Sequence, residues 1–359
     1  MCEQKLKKII FFTASTTGGG AEKMLFNIIN SLDSNLFKSY LIITSDAKVP
    51  ENTELKAEAY NYNCSKSRNA FFKICNTISK IKPSYVFTTS STLGYMLALS
   101  KKILKHKFKV IIRCAVPPSE IIKTSIKDDL LRYIIKITYK YCDLIIAQTQ
   151  YMKNDLIKSY SITPNKILVI RNIIDKAYLE KQSKEFVPTE FKNNTFNIVA
   201  SGALYSVKGF DLLIDAISPI IIKNKNIFLW ILGDERYENG YKNFLLKKIA
   251  NYQLDNNIKL IGHKSNPYPY YKYADLFILS SRKEGFPNVV LESLFLKTPV
   301  VATNCVDFSN VIENGTNGFI VEKSNIEELQ KAIMKAIYYN FDMNKITLSN
   351  YNYNKLFQQ

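Results

Sequence analysis

Short apolar runs alternate with longer amphipathic stretches along the whole chain. Lys8 to Thr13 predicts a buried strand, and the stretch after it predicts a helix through Leu32. Strands follow at Ser39–Thr44, Tyr85–Thr88, Lys109–Cys114, Leu144–Gln148 and Ile167–Ile170, with helices at Asn69–Lys80, Leu93–Leu104, Ile126–Tyr141 and on to Tyr160. A polar stretch without periodicity, Ile174 to Asn194, reads as a linker. A second series follows: strands at Phe196–Ala200, Ile227–Leu232, Ile258–Gly262, Ala274–Ser280, Val300–Thr303 and Gly318–Val321, with helices at Phe210–Ile222, Tyr241–Tyr252 and Ile326–Tyr339. Strands spaced by helices predict parallel, doubly wound sheets, whose ligands sit beyond the strand C-termini. At 359 residues the chain is too long for one ordinary core, which predicts two domains.

One unit stands out. The run Ala274–Ser280 leads through Ser281-Arg-Lys-Glu-Gly-Phe-Pro-Asn288 into a helix with Val290, Leu291 and Leu294 as its buried stripe. Pro287 suits the first position of that helix, Lys297 complements its C-terminal dipole, and Pro299 stops it. Free backbone N–H groups and a positive dipole end at Gly285, Phe286, Pro287 and Asn288 make an anion site suited to a phosphate. Glu284 lies in the turn and Glu292 about a turn and a half into the helix. Alone, two glutamates at this spacing are ordinary on a solvated helix face. Beside an anion site, two acceptor-only carboxylates suit a ligand that is phosphorylated and rich in hydroxyls, such as a nucleotide-sugar. Upstream, Gly18, Gly19 and Gly20 allow close backbone approach between strand and helix. The dinucleotide G-x-G-x-x-G spacing fails there, because Lys23 stands where its last glycine belongs.

Composition narrows the class. A hydrophobic content of 47% with 12 Gly and 11 Pro describes a globular protein. The apolar run Ile9–Phe12 is too short for a secretion signal, and no uninterrupted apolar span is long enough to cross a membrane. The six cysteines form no C-x-x-C pair or metal-type cluster and read as reduced thiols of a cytoplasmic protein. The net charge of +18 is uneven: residues 1–180 carry 28 Lys+Arg against 14 Asp+Glu, the remainder 21 against 17. Lys101–Lys109 and Ile121–Lys140 are the densest parts, and their interleaved Leu, Ile, Phe and Tyr suit an anionic membrane surface. No DNA- or RNA-reading signature accompanies them, which argues against a nucleic-acid partner.

The frame S-x-x-EGFPN-x-x-LE, set between an aD-x-F-x-L-x-S strand and the PVVAT and ENGTNGFIV segments, resembles the signature of the family 4 retaining glycosyltransferases, a Glu, seven residues and a second Glu. The resemblance implies the GT-B architecture: α/β, two Rossmann-like doubly wound domains facing across a cleft. Residues 1–175 would bind the acceptor and residues 190–340 the nucleotide-sugar, with the tail 341–359 packing back on the first domain. It implies that Glu284 contacts the donor sugar, that Gly285, Phe286, Pro287 and Asn288 line the sugar and phosphate, and that Glu292 takes the ribose hydroxyls. Lys208, in Ser201-Gly-Ala-Leu-Tyr-Ser-Val-Lys-Gly209, matches the lysine that neutralises the diphosphate. The arginine usual before it is Ala203 here, and Lys297 stands where many members have Gly. Gly18, Gly19 and Gly20 match the family's donor-facing loop. Arg113, at a strand end before Pro117-Pro118, is the candidate acceptor-side contact, since neither His106 nor His263 clearly replaces the family's polar residue there.

The function so implied is retaining transfer of a sugar from a nucleoside-diphosphate sugar to a saccharide or lipid-linked saccharide, in surface polysaccharide or glycolipid synthesis. No Asp-x-Asp pair exists to hold a metal-bound diphosphate, so the expected reaction is metal-independent, with the nucleotide-sugar as co-substrate and no cofactor. The expected place is the cytoplasm, at the cytoplasmic face of a membrane. Two other readings stay open: an epimerase-type enzyme of the same architecture, and a basic membrane-binding protein with a degenerate site.

Overall fold

The computed structural model describes residues 6–16, 19–49, 54–120, 126–192, 194–236, 238–308, 311–345 and 348–358. The chain divides into two compact units, residues 1–175 with 350–359, and residues 176–349.

The first unit is a seven-stranded parallel sheet of β1 (Lys7–Thr13), β2 (Phe37–Ile43), β3 (Glu58–Asn61), β4 (Tyr85–Thr88), β5 (Lys109–Arg113), β6 (Leu144–Ala147) and β7 (Ile167–Val169), in the order β3-β2-β1-β4-β5-β6-β7. Helices α1 (Gly20–Ser31), α2 (Phe71–Ile81), α3 (Ser91–Ile103), α4 (Ile126–Thr138) and α5 (Gln150–Tyr160) connect the strands. Ile9, Ile10, Phe11 and Phe12 are all fully buried, as a strand covered on both faces requires. β3 was not foreseen: all four of its residues are exposed, so it carries no apolar signal.

The second unit is a six-stranded parallel sheet of β8 (Phe196–Ser201), β9 (Ile227–Leu232), β10 (Ile258–Leu260), β11 (Leu276–Leu279), β12 (Val300–Thr303) and β13 (Gly318–Val321), in the order β10-β9-β8-β11-β12-β13. Its helices are α6 (Lys176–Gln182), α7 (Phe210–Lys223), α8 (Tyr241–Asn251), α9 (Tyr268–Tyr273), α10 (Asn288–Phe295) and α11 (Ile326–Ile337). Helix α6 falls within the stretch that composition assigns to a linker. Only Leu179 of its seven residues is buried, so it shows no helical periodicity.

The tail returns to the first unit as α12 (Tyr353–Gln358). Tyr353, Leu356 and Phe357 are buried there. The Phe357 ring lies 5.3–6.2 Å from the rings of Phe11, Phe37, Tyr85 and Phe87.

Candidate functional site

In the second sheet the strand order reverses between β8 and β11, which run side by side in parallel. The loops leaving their C-terminal ends therefore emerge together, where open α/β sheets bind ligands. After β8 comes Gly202–Gly209; after β11 comes Ser280–Pro287. Glycine at position 209 is what lets these loops meet. Its φ is +65°, and a Cβ there would sit 2.1 Å from the Ser280 carbonyl oxygen. Ser280 Oγ donates to the Lys208 carbonyl at 2.9 Å, and the Arg282 N–H to the Val207 carbonyl at 2.8 Å.

The two loops bring Lys208 and Glu284 together. Lys208 Nζ donates to Glu284 Oε1 at 2.6 Å, and Ser281 Oγ donates to the same oxygen at 2.7 Å. Both side chains are mostly buried, 19% and 13% exposed. Burial by itself would lower the Lys208 pKa, but the charge of Glu284 and the hydrogen bond to it outweigh burial, and the net direction is up. Ser281 is held in turn by Thr303 Oγ1, which donates to its carbonyl at 2.6 Å.

Helix α10 starts beside this pair. Pro287 is its N-cap, in extended conformation and without a side-chain cap hydrogen bond, which puts the positive end of the helix dipole at the donor loops. Phe286 and Asn288 are buried at the turn, and the Phe286 ring packs 6.1 Å from that of Phe308. Glu292, one turn into α10, is 1% exposed.

Arg282 has a different task. Its guanidinium grips Asp211 at the start of α7 bidentately, at 2.8 and 2.7 Å, and also bonds the Ser206 carbonyl. The Asp211 carboxyl also accepts from the Tyr241 hydroxyl at 2.8 Å. Burial would raise its pKa, yet the bonds from Arg282 and Tyr241 and the arginine's charge bring it below the ordinary value.

The remaining residues expected at a site are placed elsewhere. Gly19 is the N-cap of α1 and Gly20 its first residue, in the first unit; Gly18 lies outside the described residues. Arg113 ends β5 and is 1% exposed. Its guanidinium bonds Asn172 Oδ1, and its pKa is lowered by burial against the opposing influence of Tyr353 from α12. It is thus buried within the first unit, between Asn172 and the Tyr353 of α12.

Sequence reasoning missed Cys305 and Thr303, which follow from the end of β12. The Cys305 thiol is pushed up to about 12, by burial first and then by the charge of Glu284, so it stays protonated and inert beside the pair. Its nearness to Glu284 follows only from β12 lying next to β11.

Comparison with known proteins agrees with this arrangement. Residues 18–178 match the family described as Glycosyltransferase Family 4, and residues 181–348 that described as Glycosyl transferases group 1. A glycosyltransferase of Methanocaldococcus jannaschii is 31% identical over 242 residues, 65% of this chain and 59% of that protein. The Campylobacter jejuni N-acetylgalactosamine-N,N'-diacetylbacillosaminyl-diphospho-undecaprenol 4-alpha-N-acetylgalactosaminyltransferase is 27% identical over 317 residues, 83% of this chain and 81% of that one. In fold, the chain matches the crystal structure of Anabaena HepE in complex with UDP with a TM-score of 0.74 at 19% identity, covering 92% of this chain and 90% of that one. With two doubly wound units, the family 4 frame at Glu284–Glu292 and both halves matched, the chain belongs to the family 4 glycosyltransferases of GT-B architecture.

Proposed function

We propose that the protein transfers a sugar, with retention of anomeric configuration, from a nucleoside-diphosphate sugar to a saccharide or lipid-linked saccharide acceptor. The observation that carries this reading is the Lys208–Glu284 pair at 2.6 Å, set beside the N-terminus of α10 at the switch point of the second sheet. Leaving of a diphosphate builds negative charge, and preorganised positive groups are what that step needs most. Lys208 and the start of α10 supply them, so no metal is invoked. Glu284, relieved of part of its bond to Lys208, accepts hydroxyls of the donor sugar. The backbone at Gly285, Phe286 and Pro287 lines sugar and phosphate, and Glu292 takes the ribose hydroxyls. The Campylobacter relative, by its name, acts on a diphospho-undecaprenol-linked saccharide, which supports a lipid-linked acceptor here. A thermal-shift panel of UDP-, GDP- and ADP-sugars tests the donor half. A cognate donor at 100 times its Kd stabilises by about 2.7 kcal/mol, whereas no response to any of them would remove this reading.

The acceptor's chemistry draws the first unit to an anionic membrane surface, at the cytoplasmic face. Helix α4 leaves Leu130, Tyr133 and Ile137 exposed at 58%, 62% and 40%, at i, i+3 and i+7 spacing. Helix α3, packed against it, leaves Leu99 and Ile103 exposed. Lys102, Arg132, Lys136 and Lys140 flank these residues, the pattern of an interfacial helix pair. Lys101, by contrast, is spent on Asp143 at 2.5 Å. Among the described residues no helix is long and apolar enough to cross a membrane.

A further inference from the structure

At the far end of α10, about 12 Å along its axis from the donor loops, the second unit forms an open pocket of about 420 Å³. One wall is the polar face of α6 and the residues after it: Lys176, Glu180, Ser183 and Lys184, at i, i+4, i+7 and i+8. The opposite side brings Lys272 from α9 and Lys297 from beyond α10. Four lysines thus face one carboxylate. None of the four is ion-paired among the described residues.

The ordinary reading of lysines around a helix C-terminus is that they serve its last carbonyls. Here backbone N–H groups already do so: Leu296 donates to Glu292, Thr298 to Ser293 and Lys297 to Leu294. Lys297 Nζ instead donates to the Met343 carbonyl at 2.7 Å, and Lys176 Nζ to the Leu348 carbonyl at 2.8 Å. These bonds hold two ammonium groups at the rim while leaving each with further N–H donors. Lys297 also occupies a φ of +70°, a conformation glycine adopts without strain and a lysine does not. That φ belongs to the C-terminal cap of α10, in which Lys297 and Thr298 donate to Leu294 and Ser293; the cap uses the backbone of Lys297 and leaves its side chain to the pocket rim.

We propose that this open pocket is a second anion-binding site, distinct from the donor loops, that takes a phosphate or diphosphate group. Leu294, Phe295, Leu296 and Leu348 form its apolar lining, which would accommodate an alkyl chain on that phosphate. The charge could thus arrive on a lipid or as a free ion, and both are phosphate chemistry.

The test is calorimetric titration of the full chain carrying Lys208→Ala, which weakens the donor site, with inorganic pyrophosphate and with octyl phosphate. Saturable binding is expected to survive Lys208→Ala and to fall roughly ten- to a hundredfold when Lys184→Ala and Lys272→Ala are added. Neither side chain makes a hydrogen bond within the described structure, and Lys272 only overlies the Tyr273 ring at 5.3 Å, so melting temperature should hold; Lys184→Gln with Lys272→Gln, which removes the charges and keeps polar ends, should lose binding as well. Octyl phosphate binding tenfold tighter than pyrophosphate identifies a lipid-borne ligand, and equal affinity a free one. No saturable binding of either, or binding unchanged by the paired lysine substitutions, overturns the proposal. Failure here leaves the donor reading intact, because the lysines tested are outside the donor loops.

Discussion

Lys208 and Glu284, 76 residues apart in sequence, share a 2.6 Å ion pair across the two loops at the switch point of the second sheet. Each helps to fix the other's orientation, with Ser281 donating to the same Glu284 oxygen. In a double-mutant cycle on transition-state binding, Lys208→Ala and Glu284→Gln should therefore be non-additive, with a coupling of 0.5–3 kcal/mol expected at roughly this range for residues in contact. Additive losses in kcat/KM would show that the pair does not act as a unit.

The family resemblance implies a second cation at the position of Ala203, in the loop that carries Lys208. Ala203→Arg should tighten nucleoside-diphosphate binding by about 1–3 kcal/mol, because Arg grips phosphate bidentately where Lys208 offers a point charge. Titration calorimetry reads this directly. Unchanged affinity would place the diphosphate away from the Gly202–Gly209 loop.

Gly209→Ala tests the close approach of the loops. A Cβ 2.1 Å from the Ser280 carbonyl at a φ of +65° forces the loops apart, which should cost about 1–3 kcal/mol of stability and weaken donor binding together with it. A Gly209→Ala protein with wild-type melting and affinity would contradict the described geometry.

The Arg282–Asp211 clamp gives a pH dependence. Asp211 has a folded pKa below its unfolded value, so its contribution is present above the unfolded pKa and is lost as pH falls through the folded one. Arg282→Ala removes the bidentate bonds and part of that depression. The variant should lose about 1–3 kcal/mol near neutrality, and its remaining Asp211 contribution should fade at a higher pH than in wild type. Denaturant melts from about pH 3 to 7, spanning the reference carboxylate range, would read both effects, and parallel curves would count against the clamp.

Much of this was legible because buried parallel strands are near-continuous apolar runs: Ile9–Phe12 and Leu276–Leu279 declare themselves. The turn from β11 into α10 was equally plain, since Pro287 and the stripe of Val290, Leu291 and Leu294 have local signatures. What stayed hidden is whatever lacks one. β3 is exposed throughout, and α6 buries only Leu179. Arg113 sits at a strand end, where sheet logic puts ligands, but α12 brings Tyr353 to it from the other end of the chain. The pairing of Lys208 with Glu284 and the nearness of Cys305 arise from strand order, which no local spacing encodes.

Membrane docking by the first unit is read by vesicle co-sedimentation. Binding should need anionic lipid, to which each basic residue reaching the surface contributes about 1 kcal/mol, fade with salt, and drop when Leu130 and Tyr133 are replaced by Ser. Equal binding to neutral vesicles, or none, would sink it.

On the proposed reading, Glu284 takes part in sugar transfer. The deciding measurement is acceptor-dependent release of nucleoside diphosphate from the cognate nucleotide-sugar, in wild type and in Glu284→Gln of matched melting temperature. Losing one charged hydrogen bond in the transition state should slow transfer roughly ten- to a hundredfold. A folded Glu284→Gln protein that transfers at the wild-type rate would contradict the claim.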